Sequence, residues 1–82
     1  MRSPLSVPID ARDRKRLGEA LLTARTAVGL TQRELAEASG VPQGKISRIE
    51  RGATHAPLAL LAQLAAGMDY RIEVRIRASR EP

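Results

Sequence analysis

The chain contains no cysteine, no tryptophan and no phenylalanine, and Tyr70 is its only aromatic side chain. The lack of cysteine excludes disulfides and thiolate metal sites, a composition compatible with the cytoplasm. A single ring argues against recognition of single-stranded nucleic acid by base stacking, which usually needs several. No apolar run approaches the length of a membrane span, and the N-terminus lacks a signal-peptide core. His55 is the only histidine and has no second ligand at metal spacing. The serines have no base in their sequence context, and Asp10, Asp13 and Glu19 read as a solvated helix face. The expectation is a soluble cytoplasmic protein with no cofactor, no metal and no catalytic activity.

Positive charge is what the sequence has in excess. The net charge is +5, and of 14 basic residues all but Lys15 and Lys45 are arginine. The guanidinium fork suits phosphates and guanine edges, so the balance favours nucleic acid once a reading element is present. With 82 residues there is room for one small domain and none for a small-molecule sensing domain. A chain of this size buries only about 60% of its unfolded surface, and oligomerisation is a common remedy.

The hydrophobic pattern divides the chain into an extended arm over 1–10, a helical domain over 11–67, a strand over 68–78 and a disordered tail over 79–82. In the arm, Pro4 and Pro8 oppose helix formation. Asp10 is a plausible N-cap for a first helix over 11–28, in which Leu17, Leu21, Ala24 and Val28 share one face with Ala20 beside them. Gly29 closes it and Leu30 plugs the gap before the next. Thr31 and Glu34 form a capping box opening the second helix, where Leu35 and Ala36 point inward and Gln32 and Arg33 outward. Ser39, Gly40 and Val41 make a turn, with Gly40 taking the backbone conformation that a side chain would resist. A third helix over 42–51 has Pro42 in its first turn, Ile46 and Ile49 inward, and Gly52 at its end. Pro57 starts a fourth over 58–66, ended by Gly67, with Leu58, Leu60, Leu61 and Leu64 capping the core. The period then changes to two: Tyr70, Ile72, Val74 and Ile76 alternate with Arg71, Glu73, Arg75 and Arg77, as in a half-buried strand.

Two short helices joined at a glycine, the second polar and basic on the side its isoleucines do not use, have the layout of a helix-turn-helix unit. Gln32, Ala36, Gly40, Ile46 and Ile49, with the run Arg48-Ile49-Glu50-Arg51-Gly52, resemble the Xre-type helix-turn-helix family, which includes the phage repressor and Cro proteins. The resemblance spans roughly residues 16–67. It implies a mainly α, four-to-five-helix repressor-like domain that binds double-stranded DNA. It further implies that Gln32 contacts a phosphate, that Gln43, Gly44 and Arg48 face base edges, and that Pro42, Lys45 and Ser47 lie near the DNA backbone. Two departures stand out: Gly44 supplies no side chain, and Pro42 replaces the usual hydroxyl at the cap. Arg25 and Glu50 match a family ion pair between the first and third helices.

The side-chain chemistry agrees with these roles: Gln bonds adenine and Arg bonds guanine through paired contacts, while Lys45, Arg51 and Arg33 suit phosphates. Each also has a plainer reading, as a solvated helix surface for Gln43 and Lys45, a helix-start residue for Gln32, and a phosphate contact or surface ion pair for Arg48. The tail resembles that of HipB- and HigA-type antitoxins. A lone strand has no partner in a helical domain, so the expectation is a homodimer whose central antiparallel sheet joins the two tails through Tyr70, Ile72, Val74 and Ile76. Leu5, Val7 and Ile9 could add the arm as an outer strand, with both prolines on its solvent edge. Two functions follow: a dimeric, sequence-specific repressor on a palindromic operator, and an antitoxin that neutralises a toxin protein.

Overall fold

A computed structural model describes residues 13–70, together with the backbone of Leu5–Ser6 and Ile72–Glu73. Among the described residues, four helices carry the fold: α1 (Arg14–Val28), α2 (Gln32–Ser39), α3 (Gln43–Glu50) and α4 (Leu58–Gly67). Two short strands, β1 (Leu5–Ser6) and β2 (Ile72–Glu73), flank them in sequence. Helix α2 packs against both α3 and α4, while α1 lies along α3.

Local chemistry sets most of the helix limits. The first helix begins at Arg14 rather than at residue 11, because Asp13, not Asp10, is the cap: its carboxylate accepts the Arg16 N–H at 3.0 Å. Asp13 is therefore a capping residue and not part of a solvated helix face; Asp10 lies outside the described residues. The expected capping box is present in full, with Glu34 N–H on Thr31 Oγ1 at 3.0 Å and Thr31 N–H on Glu34 Oε1 at 2.8 Å. Pro42 precedes α3 as its N-cap instead of occupying the first turn, with an extended ψ of 139° and no side-chain bond to offer.

The turn between α2 and α3 needs Gly40, whose φ of 78° is left-handed and costly for any side chain with a Cβ. The end of α4 differs from expectation. Gly67 is its last helical residue, and the left-handed position falls on Asp69, at φ 61°. Aspartate tolerates that conformation better than most residues, and Tyr70 N–H then closes the helix on the Ala65 carbonyl at 2.8 Å. Gly67 serves packing instead: a Cβ there would come within 2.9 Å of Ser39 Cβ.

The core gathers Leu21, Ala24, Leu35, Val41, Ile46, Ile49, Leu64 and Met68, all at 5% exposure or less. Leu30 and Tyr70 pack against its edge. Most of the periodicity in the helices is thus realised, with one correction: Leu58 points outward, 54% exposed, because α4 buries only Leu61, Leu64 and Ala65. Tyr70 also departs from its expected place in the strand, since it belongs to the end of α4 and packs on its own core.

The backbones of β1 and β2 pair in parallel within one chain, with Leu5 opposite Ile72 and Ser6 opposite Glu73. The tail strand thus pairs with its own arm, the outer-strand position that the alternation of Leu5, Val7 and Ile9 allows, while the expected pairing with a second tail is not among the described residues. Val7, Ile9, Val74 and Ile76 lie outside the described residues.

Gly18 fixes how closely α1 and α3 approach. A Cβ built there would fall 2.2 Å from the Ile49 carbonyl oxygen and 2.7 Å from that of Glu50. Those oxygens belong to the last turn of α3 and cannot swing aside as a side-chain tip could. Replacement Gly18→Ala is expected to cost at least about 1–3 kcal/mol, as overpacking does. The measurement is the urea midpoint, with the neighbouring exposed Glu19→Ala expected to stay within about 0.5 kcal/mol of the parent.

Candidate nucleic-acid interface

Helix α3 presents two chemically different sides. Ile46 and Ile49 are fully buried against α1 and α2. The opposite side carries Gln43, Gly44 and Arg48, all exposed, with Lys45 and Ser47 half-buried on its flanks. Pro42 and Arg51 are exposed at the two ends of the helix. Side chains at i and i+4 stack on one face, and the Arg48 guanidinium accordingly folds back over Gly44. Its Nη1 lies 3.5 Å from where a Cβ at residue 44 would stand. The residues expected to read bases are therefore together on one face of one short helix.

What aims that face is a hydrogen-bonded cluster beneath it. Arg25, from α1, grips Glu50, from the end of α3, through Nε–Oε2 at 2.6 Å and Nη2–Oε1 at 3.0 Å. Its third nitrogen, Nη1, donates to the Leu30 carbonyl at 2.8 Å. The two side chains are only 12% and 4% exposed, so this bidentate pair is shielded from the screening that weakens surface bridges. The hydrogen bond to Glu50 is the main cause that raises the Arg25 pKa, with charge attraction adding to it and burial opposing. A raised arginine pKa means its stabilisation is complete below the ordinary arginine range and is lost only as pH climbs through the folded value. On the arginine side, the pair is insensitive to pH near neutrality.

Gln32 joins the same cluster. It is half-buried rather than pointing out, and its Nε2 donates to Glu50 Oε1 at 2.9 Å. One amide donor is thus committed to Glu50, and a second N–H and the carbonyl oxygen are left for other partners. Arg33, one residue on, is exposed and makes a loose bridge to Glu37 at 3.6 Å. His55 is exposed in the loop after α3.

The turn is braced from outside by residues not singled out in the sequence. Ser39 Oγ donates to the Leu35 carbonyl at 2.7 Å and accepts the Val41 N–H at 3.1 Å. Gln63, on the exposed side of α4, donates to the Ser39 carbonyl at 2.7 Å. Nothing in a sequence pattern marks Gln63, because it is a polar residue on a solvated helix face. Gly18 did carry a signal: a mid-helix glycine costs up to about 1 kcal/mol against alanine and commonly marks a close approach.

The fold and this face define a helix-turn-helix head set on two supporting helices. Residues 21–74 match the family model of the helix-turn-helix family HTH_3, and the chain belongs to that family. It is 37% identical over 54 residues to an uncharacterised HTH-type transcriptional regulator of Haemophilus influenzae, covering 66% of this chain and 55% of the relative. The chain thus spans about half the length of that relative. Among solved structures, the restriction-modification controller protein C.AhdI of Aeromonas hydrophila superposes with a TM-score of 0.69 at 33% identity, over 73% of this chain and 91% of that one. The clp gene regulator ClgR of Corynebacterium glutamicum gives a TM-score of 0.67 at 41% identity, over 71% and 74%. Among the described residues, no helix is long and apolar enough to cross a membrane.

The Arg25–Glu50 pair should behave as a unit. Arg25→Ala and Glu50→Ala are each expected to cost about 3–5 kcal/mol, since each leaves a buried charge unpaired. Arg33→Ala, which removes only an exposed bridge, should cost about 0–1 kcal/mol. Chemical denaturation of the double variant should show a smaller loss than the sum of the singles; strict additivity would mean no interaction.

Proposed function

We propose that this protein is a DNA-binding transcriptional regulator that reads duplex DNA through the exposed face of α3. The observation that carries this reading is the arrangement of α3 itself: Gln43, Gly44 and Arg48 are exposed on one side while Ile46 and Ile49 anchor the other. Helices held in this way enter the major groove, where Arg matches guanine and Gln matches adenine. The positive net charge of +5 supplies attraction to phosphates, and Lys45, Ser47, Pro42, Arg33 and Arg51 border the face where a DNA backbone would pass. Gln32 contributes to phosphate binding with the donor that Glu50 does not hold. The two relatives whose structures are known as a controller protein and a gene regulator support the same reading.

The regulator acts as a homodimer on a palindromic operator, and repression of its own promoter is the mode we assign. Backbone pairing of β1 with β2 uses one edge of the tail strand; no partner occupies its other edge among the described residues. A second copy joined there would set two α3 helices on half-sites about 34 Å, or a multiple of it, apart. The alternation of apolar residues over 70–77 also suits a tail that meets another protein, and this favours as a second reading an antitoxin that neutralises a toxin. Co-purification of the full chain with the product of a neighbouring gene would move the balance to that reading.

Selection from randomised duplexes tests the reading face. Arg48→Ala and Gln43→Ala should each lose about 1–3 kcal/mol on the selected site and relax preference at one position per half-site. Lys45→Ala should weaken all sequences alike and flatten the salt slope by about one unit. If both Arg48 and Gln43 variants keep the parental consensus, the base-reading assignment fails.

Sedimentation tests the dimer. A chain ending at Tyr70 keeps the bond that closes α4 and the ring that packs on the core, so it should fold yet sediment as a monomer. Undiminished self-association of that chain would exclude the tail as the dimer contact.

A further inference from the structure

The start of α1 concentrates charge that does nothing for the helix itself. Arg14, Lys15 and Arg16 are all exposed in its first turn, which holds no acidic residue. A helix N-terminus already carries partial positive charge, so cations there oppose the dipole. Arg16 has a local partner, its Nε lying 3.3 Å from Asp13 Oδ2. Arg14 and Lys15 make no ion pair among the described residues, although Glu19 is exposed one turn on.

The contact between α1 and α3 decides where these two cations stand. Residues three and four apart share a helix face. Arg14 and Lys15 therefore lie one turn before Gly18, on the side of α1 that meets the end of α3. Their turn abuts the residue that follows Arg51: a Cβ at Gly52 would fall 3.1 Å from Lys15 Cα. On α3, residues 44, 48 and 51 are spaced as i, i+4 and i+7, so the exposed stripe through Gly44 and Arg48 continues to Arg51. The reading face thus runs off the end of α3 onto Arg14 and Lys15. Folding gathers like charges from two distant segments at that point.

We propose that Arg14 and Lys15, continuing from Arg51, form a second anion-binding surface that grips the phosphate backbone of duplex DNA beyond the base pair read by Arg48. This inference rests on the DNA-binding reading above and extends its footprint onto α1. The dimensions name the occupant. Eight residues of α3 span about 12 Å, and the major groove is about as wide. With its N-terminal turn on base edges, the other end of α3 reaches the groove wall, where phosphates stand. Charge names it too, because a row of phosphates relieves the repulsion that folding builds among these cations.

The test uses the full-length chain and a duplex it selects from a randomised pool. The double variant Arg14→Gln/Lys15→Gln keeps long side chains but removes their charge, so it should unfold at the parental temperature or above. It should select the parental consensus, yet bind that duplex at least tenfold more weakly, with a salt slope flatter by about two units. Duplexes neutralised one phosphate at a time with methylphosphonate then locate the contact. Neutral phosphates just beyond the base pair that Arg48→Ala relaxes should weaken the parent and leave the double variant unaffected. Charge reversal, Arg14→Glu/Lys15→Glu, should lose more affinity than the Gln variant. Parental affinity and salt slope in the Gln variant would overturn the inference while leaving the DNA-binding reading intact. So would a changed consensus, or a methylphosphonate pattern identical in parent and variant. Failure of the parent chain to select any duplex would instead remove the reading on which the inference stands.

Discussion

The bidentate bond between Arg25 and Glu50 ties together segments that are far apart in sequence. Through it α1 holds the end of α3, through Arg25 Nη1 it holds the loop at Leu30, and through Glu50 it holds the start of α2 at Gln32. Burial of Ile46 and Ile49 seats the head on the core, but the hydrophobic driving force itself is non-directional. A charged, geometrically demanding cluster supplies direction. A buried pair of this kind adds little net stability over an apolar replacement; its hydrogen bonds connect three helices. At Gly18 the same two helices, α1 and α3, come into backbone contact.

Much of this was legible in the sequence. The capping box of Thr31 and Glu34, the turn at Gly40 and the inward isoleucines follow from local rules that act within four residues, and the structure shows them as read. The pairing of Arg25 with Glu50 could be anticipated only through family resemblance, because 25 residues separate the partners. Errors fell where two local explanations competed. Asp10 and Asp13 are both good caps, and the helix uses the later one. Gly67 looks like a helix stop, yet it is a packing residue, and Asp69 takes the left-handed position. Gln32 read as outward because the first turn of a helix is usually solvated; its inward bond depends on where Glu50 falls in space. Gln63 was invisible for the same reason, its partner being a carbonyl of a distant turn.

The tail shows a different limit. Of the strand that alternation over 70–77 predicts, the described residues show only Ile72–Glu73, and period alone cannot name the partner strand. The arm at Leu5–Ser6 takes one edge in parallel.

The clamp on Ser39 has a consequence for thermodynamics. Its carbonyl is held by Gln63, its hydroxyl bridges Leu35 and Val41, and the far end of α3 is fixed by Arg25. The turn before α3 and the end of α3 are thus both bonded in the folded chain, so their conformational entropy is spent at folding rather than on meeting a ligand. Recognition by such a head should carry a heat-capacity change set by the surface the partners bury, without the larger component that coupled folding would add.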